Sequence, residues 1–139
     1  GPIAYTAEED AFARALQKSA GVEPVGMDAA IGSLEGQGQE GGSTDVGDVS
    51  WNVPTLHVSV ATAPRGVPWH AWPVVAAGGT SIGHKGMVLA AKTLAATMVD
   101  LFDDPAAREA VRAEFGKKTE GFVYTPYVPA GPPPVPKPE

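Results

Sequence analysis

The sequence predicts an α/β fold in which the 139 residues supply only part of the domain. A long helix predicted over residues 82–102 is apolar around most of its circumference and needs covering on more than one side. Only one strand pattern is clear, and a single strand cannot form a sheet. The missing strands would then come from elsewhere. The same patterns also allow a compact, independent α+β domain in which a glycine-rich region supplies irregular strands.

The first predicted element is a helix that begins at Thr6. Thr6 and Glu9 have the spacing of a capping box, in which each side chain accepts a hydrogen bond from the other residue's backbone amide. Phe12 and Leu16 lie four positions apart and share one face of this helix. Gly21 is a suitable C-terminal stop.

Regular periodicity fails between residues 22 and 49, where glycines accumulate. A loop of this length inside a domain is uncommon and is usually functional, although the part up to Gln39 also fits a surface linker. Asp45 and Asp48 follow, three positions apart and directly before an apolar stretch. Asp45 is a candidate ligand or turn cap, and bracing of the loop is the default role of an aspartate beside Gly and Thr.

Residues 55–63 form the best strand candidate. Leu56, Val58 and Val60 alternate with smaller or polar residues, a period of two that is typical of a strand. Pro54 and Pro64 bound the segment. The preceding residues 49–53 also alternate but leave their type undecided, and residues 64–73 predict a turn-rich loop.

The chain continues with two helices and a proline-rich tail. Apolar residues of the helix over 82–102 recur at spacings of four and three: Met87, Ala91, Leu94, Met98 and Leu101. A further helix is predicted to start at Asp104-Pro105, with aspartate as N-cap and proline at the first helical position, and to end at Gly116. Residues 124–139 hold half of the 14 prolines and predict an extended tail. Lys137 is the tail's only basic residue, which disfavours an SH3-type ligand.

Composition excludes several classes of function. The net charge is −6 without a basic cluster, which argues against nucleic acid or an anionic membrane as the main partner. The absence of cysteine excludes disulfides and thiolate chemistry. No apolar run reaches about 18 residues and no signal-peptide pattern opens the chain, so we expect a cytoplasmic protein.

Three histidines are candidates for site chemistry. His57 lies within the predicted strand and is expected to be a structural or partly exposed residue rather than a ligand. His70 lies in the turn-rich loop between Trp69 and Trp72. A histidine held between aromatic residues suits metal ligation, because the imidazole must be presented at a fixed angle.

The third histidine belongs to a turn at the start of the long helix that contains Thr80, Ser81, His84 and Lys85. A helix N-terminus favours an anion, so this turn resembles a carboxylate- or phosphate-binding site. It matches neither the P-loop nor the dinucleotide fingerprint, and its glycines also fit simple close packing. No complete catalytic set is visible, although His70, His84 and Asp45 together could formally supply the ligands of a hydrolytic zinc site.

Three motifs carry a family resemblance: GSTDVGDVSW over residues 42–51, PWHAW over 68–72 and TSIGHKGM over 80–87. In this order and at these separations they resemble the C-terminal part of amidohydrolases in the aminoacylase/carboxypeptidase group of dinuclear metallopeptidases. The resemblance covers roughly residues 3–125. It implies that residues 1–123 are the C-terminal segment of a catalytic domain after a lid insertion. That domain would have a mixed, largely parallel sheet flanked by helices, and residues 124–139 would form its extended tail.

The resemblance also implies a chemistry. Two zinc or manganese ions would activate a water that attacks the amide bond of an N-acyl or aminobenzoyl amino acid. His70 would be a metal ligand, Asp45 would shape the site, and the turn containing Thr80, Ser81, His84 and Lys85 would contact a substrate carboxylate.

The remaining ligands and the general base would come from the N-terminal half of the catalytic domain. That half and the lid domain are therefore the expected partners, in an enzyme expected to be a homodimer. No catalytic residue is expected within these 139 residues, and the isolated chain is expected to be inactive. The alternative is a noncatalytic protein-interaction module with glycine-rich loops and a proline-rich tail.

Overall fold

The computed structural model describes residues 2–32, 44–128 and 130–132, and its regular structure is helical. The helices are α1 (Ala7–Ser19), α2 (Val46–Ser50), α3 (Trp72–Gly78), α4 (Ser81–Asp103) and α5 (Pro105–Lys118). The described residues fall into two units. The first contains residues 2–32 and 56–105, and the second contains residues 44–55, 106–128 and 130–132.

The predicted α/β fold is wrong, because the described ranges contain no strand and no sheet. The predicted strand over residues 55–63 has no regular secondary structure. Its alternating pattern reports only side-chain polarity, whereas a strand also needs a neighbour to complete its hydrogen bonds. Leu56 is 70% exposed, so the pattern does not mark a buried sheet face here. The undecided residues 49–53 fall at the end of α2 and in the turn after it.

Helix α1 confirms the predicted capping box. The Thr6 amide donates to Glu9 Oε2 over 2.7 Å, and the Glu9 amide donates to Thr6 Oγ1 over 3.2 Å. After the helix, Gly21 takes a φ of 73°, a left-handed conformation that favours glycine. The local rules that govern helix ends therefore place this element correctly.

Helix α3 packs against both α1 and α4 in the first unit. Its contacts enclose a small apolar core formed by Ala13, Leu16, Ala77 and Ile82. The sequence pattern did not reveal α3, because residues 64–73 predict a loop and the helix has only seven residues. Proline near the first position of a helix is compatible with its geometry, and Pro73 occupies that place.

Two glycines let α4 pack closely against its neighbours. A Cβ at Gly83 would overlap the backbone of Gly78, and a Cβ at Gly86 would overlap the carbonyl of Ala61. Both glycines are buried. Close packing of the first two turns of α4 fixes the position of the predicted anion-binding turn.

Gln17 holds the loop that follows α1. Its side chain is completely buried, accepts from the Gly26 amide over 2.7 Å and donates to the carbonyls of Gly26 and Arg65 at 3.2 and 2.8 Å. Asp10 adds a bond from the Met27 amide over 2.9 Å. The backbone of this loop is therefore held by hydrogen bonds to side chains rather than by those of a sheet.

The predicted helices over 82–102 and from Pro105 are confirmed as α4 and α5, although α5 continues past Gly116 to Lys118. Neither these helices nor the others within the described ranges are long and apolar enough to cross a membrane.

The second unit contains α2, most of α5 and the residues that follow α5. The rings of Trp51 and Phe122 lie 4.1 Å apart between centroids. Burial, together with the nearby Asp48 carboxylate, raises the pKa of Tyr124. The described part of the predicted tail has no regular secondary structure. Residues 33–43, 129 and 133–139, which include much of the glycine-rich stretch and of the tail, lie outside the described residues.

Candidate functional site

The N-termini of α1 and α4 meet at one carboxylate. Glu9 Oε1 accepts from Ser81 Oγ over 2.6 Å, and Glu9 Oε2 accepts from Lys85 Nζ over 2.6 Å. Ser81 and Lys85 lie four positions apart and so share one face of α4. The Thr6 amide completes the arrangement. We call Thr6, Glu9, Ser81 and Lys85 the Glu9 cluster.

Within the Glu9 cluster, Glu9 is buried, Lys85 is half-buried, and Thr6 and Ser81 are exposed. The side chain of Glu9 is 10% exposed and that of Lys85 is 34% exposed. The hydrogen bond from Lys85, followed by those from Ser81 and Thr6, lowers the pKa of Glu9 to about 2. Lys85 Nζ also donates to the Ala4 carbonyl over 2.8 Å, so the ammonium ties the N-terminal segment to α4.

Tyr5 lies beside this cluster. Lys85 Nζ lies 5.8 Å from the centroid of the Tyr5 ring, within the range of a cation–π contact. The Tyr5 hydroxyl is buried without a hydrogen-bond partner among the described residues. Burial, followed by the charges of Glu9 and Asp28, raises the pKa of Tyr5.

At the predicted anion-binding turn, the bound anion is a carboxylate of the chain itself, that of Glu9. Ser81 and Lys85 bind the carboxylate of Glu9, while Thr80 caps α4 by accepting from the Ile82 amide over 3.3 Å. The sequence pattern assigned Glu9 to the capping box alone and did not reveal its second role. The available signal was a pair of donors, Ser81 and Lys85, at helical spacing.

His84 lies outside the Glu9 cluster and is exposed. It lines a surface groove of about 440 Å³ whose walls include Ile3, Val88, Leu89 and Lys92. A groove with apolar walls and a basic rim suits a small molecule that carries an apolar group next to a carboxylate.

His70 lies in the first unit, in the turn that precedes α3. It is exposed, and its φ of 61° is unusual for a residue other than glycine. The neighbouring Trp69 and Trp72 are also exposed. Within residues 2–32, 44–128 and 130–132, no group of three or more His, Asp or Glu side chains could hold a metal ion. Within the described residues, His70 therefore belongs to no such group.

Asp45 lies in the second unit, just before α2, and is exposed. Its Oδ1 lies 3.4 Å from Thr44 Oγ1, and its carbonyl accepts from the Asp48 amide over 3.0 Å. These contacts brace a local turn.

His57 is also exposed, in the irregular segment after Pro54. Of the predicted site residues, the structure thus joins Ser81 and Lys85 in one cluster, with Thr80 and His84 on the same turn.

Over 59% of its length, the chain is similar to a hydrolase. That relative is one of the subunits of the p-aminobenzoyl-glutamate hydrolase of Escherichia coli (strain K12), and the two are 46% identical over 82 residues. The match confirms the resemblance predicted from the three motifs at the level of a hydrolase. The chain spans 17% of the length of this relative. No family model matches the chain, and no solved structure matches it.

Proposed function

We propose that the chain is part of a metal-dependent amidohydrolase that cleaves the amide bond of an N-acyl or aminobenzoyl amino acid. The observation that carries this proposal is the 46% identity over 82 residues to a relative named as a hydrolase of p-aminobenzoyl-glutamate. That compound is accordingly the first substrate to test. The rest of the proposed catalytic domain and its lid would come from polypeptide outside residues 1–139.

In this proposal His70 supplies one imidazole ligand to a zinc or manganese ion. Its exposure supports that role, because a ligand nitrogen must be accessible to the metal. The other ligands would come from outside the described residues. When bound, such a metal activates water for attack on an amide carbonyl.

The residues around α4 would bind and orient the substrate. His84 is exposed beside the groove, where it could contact a substrate carboxylate. The donors of Ser81 and Lys85 already bind Glu9, so we assign these residues, with Thr80, to holding the turn in place. Asp45 would brace a loop that shapes the site.

His70→Ala in the whole enzyme tests the proposal. We expect the variant to lose most of its hydrolysis of p-aminobenzoyl-glutamate and to retain less metal, because one ligand is gone. Release of p-aminobenzoate measures the first effect, and elemental analysis of dialysed protein measures the second.

His57→Ala is the matched control, since His57 is also exposed but has no assigned role. It should keep both activity and metal content. Wild-type turnover in the His70 variant would contradict the assignment. A complete lack of hydrolysis and metal in the wild-type protein would instead favour a noncatalytic interaction module.

A further inference from the structure

The groove beside His84 has two walls that come from distant parts of the first unit. Residues 2–4 form one wall, and α4 forms the other with side chains that include His84 and Val88. Residues 2–4 have no regular secondary structure. Their place beside α4 therefore depends on tertiary contacts, and so does the width of the groove.

Lys85 joins the two walls. Its Nζ donates to the Ala4 carbonyl over 2.8 Å and to Glu9 Oε2 over 2.6 Å, and both Ala4 and Lys85 line the groove. A lysine side chain has a flexible four-carbon stem, so a fixed position requires a fixed partner for its charge. Glu9 is that partner, because it is buried and the capping box of α1 already holds its carboxylate.

The same carboxylate also fixes the rotation of α4 about its axis. Glu9 Oε1 accepts from Ser81 Oγ over 2.6 Å, while Oε2 binds Lys85 one turn further along the helix. Two bonds to successive turns define the direction of the helical face between them. His84 lies three positions after Ser81 and directly before Lys85, so the direction of its side chain follows from these two bonds.

We propose that Glu9 is a positioning residue for substrate binding, which acts through Ser81 and Lys85 on the groove. It sets the width of the groove and the direction of His84. The inference rests on the proposed function, in which the groove accepts an apolar group and His84 contacts a carboxylate. Glu9 is not among the residues that line the groove, and both of its carboxylate oxygens are occupied, so it acts without contacting the substrate. The proposed metal ligand, His70, is not a member of the Glu9 cluster, so binding should depend on Glu9 more than the chemical step does.

Glu9→Gln in the whole enzyme is the first test. The glutamine amide has nearly the same size, but its N–H donors would face the Lys85 ammonium, so the bond between these two side chains is lost. With p-aminobenzoyl-glutamate as substrate, we expect KM to rise at least about tenfold and kcat to change by less than about twofold. A loss of folded enzyme would lower the apparent kcat and leave KM unchanged, so destabilisation alone cannot produce this result.

Glu8→Gln is the matched control, because it removes the same charge from the same turn outside the Glu9 cluster. It should keep the wild-type KM and kcat. Glu9→Gln with a wild-type KM, or with a loss confined to kcat, would overturn the proposal. If circular dichroism shows that Glu9→Gln is unfolded, Ser81→Ala takes its place, since it removes only one of the two bonds to α4. We expect a smaller rise in KM for Ser81→Ala, and a wild-type KM in that variant would equally overturn the proposal.

Binding of an uncleavable analogue separates this inference from the proposed hydrolysis. In N-(p-aminobenzyl)glutamate a methylene group replaces the amide carbonyl, so the compound keeps the ring and the carboxylates but cannot be hydrolysed. Isothermal titration calorimetry of the whole enzyme should give a Kd at least about tenfold higher for Glu9→Gln than for the wild type and Glu8→Gln. This result without hydrolysis in any of the three proteins would uphold the role of Glu9 and reject the proposed activity. Hydrolysis by the wild type with an equal Kd in all three proteins would do the reverse, and a wild type that does not bind the analogue would also overturn the role of Glu9.

Discussion

Glu9 takes part in two structures at the same time. Its carboxylate closes the capping box of α1 and also accepts from Ser81 and Lys85 of α4. Losing one partner of this partly buried ion pair costs stability, because the other charge is left without compensation. The carboxylate of Glu9 therefore links the start of the chain to the turn that carries His84.

Glu9→Gln should destabilise the first unit at neutral pH and change its response to acid. The pKa of Glu9 falls from 4.5 to about 2 on folding, so its stabilising effect is present above pH 4.5 and is lost as the pH falls towards 2. The wild type should therefore lose stability across this window more steeply than the variant. Urea unfolding at a series of pH values measures the difference.

Glu8→Gln is the matched control for this experiment. It removes the same charge from the same helical turn, but Glu8 is exposed and its side chain takes no part in the Glu9 cluster. Part of the acid dependence should survive in both variants, because the pKa of Asp10 is also lowered, mainly by the hydrogen bond from the Met27 amide. An identical pH profile for wild type and Glu9→Gln would show that the Glu9 cluster contributes nothing to stability.

Among the helices, α4 depends on two glycines for its position. Gly86→Ala should destabilise the first unit by about 1–3 kcal/mol, because the new methyl group would overlap the Ala61 carbonyl and force the backbone apart. This is the reverse of the usual effect, since alanine normally favours a helix over glycine by about 1 kcal/mol. Urea unfolding followed by circular dichroism measures the change.

Gly116→Ala in α5 is the corresponding control. A Cβ at this position meets nothing within 4 Å. The substitution should therefore stabilise the second unit by up to about 1 kcal/mol. A stabilising Gly86→Ala would show that the segment around Ala61 does not pack against α4 as described.

Elements that depend on local sequence were predictable, and those that depend on distant partners were not. The capping box of α1 involves residues three positions apart, and α5 starts at a proline, so short-range rules suffice for both. A strand exists only through its neighbour, which the pattern over residues 55–63 could not supply. Helix α3 was missed because it is short and follows a run of turn residues.

The same limit applies to the candidate site. Thr80, Ser81, His84 and Lys85 lie close together in sequence, and their position at a helix start could be recognised from it. The bond between Lys85 and Glu9 joins residues 76 positions apart, and no local pattern reveals it. The hydrolase resemblance was predictable because its three motifs occur in a fixed order. The fold drawn from that resemblance was wrong for the described residues, which contain no sheet.

At the scale of the whole molecule, we expect the isolated 139-residue chain to have no hydrolytic activity. A hydrolytic metal centre needs about three protein ligands, whereas the described residues contain no group of three that could hold a metal. The chain is incubated with zinc or manganese and p-aminobenzoyl-glutamate, and the release of p-aminobenzoate is followed. The whole enzyme under the same conditions provides the positive control. Metal-dependent turnover by the isolated chain, abolished by His70→Ala, would show that this polypeptide assembles a complete active site on its own.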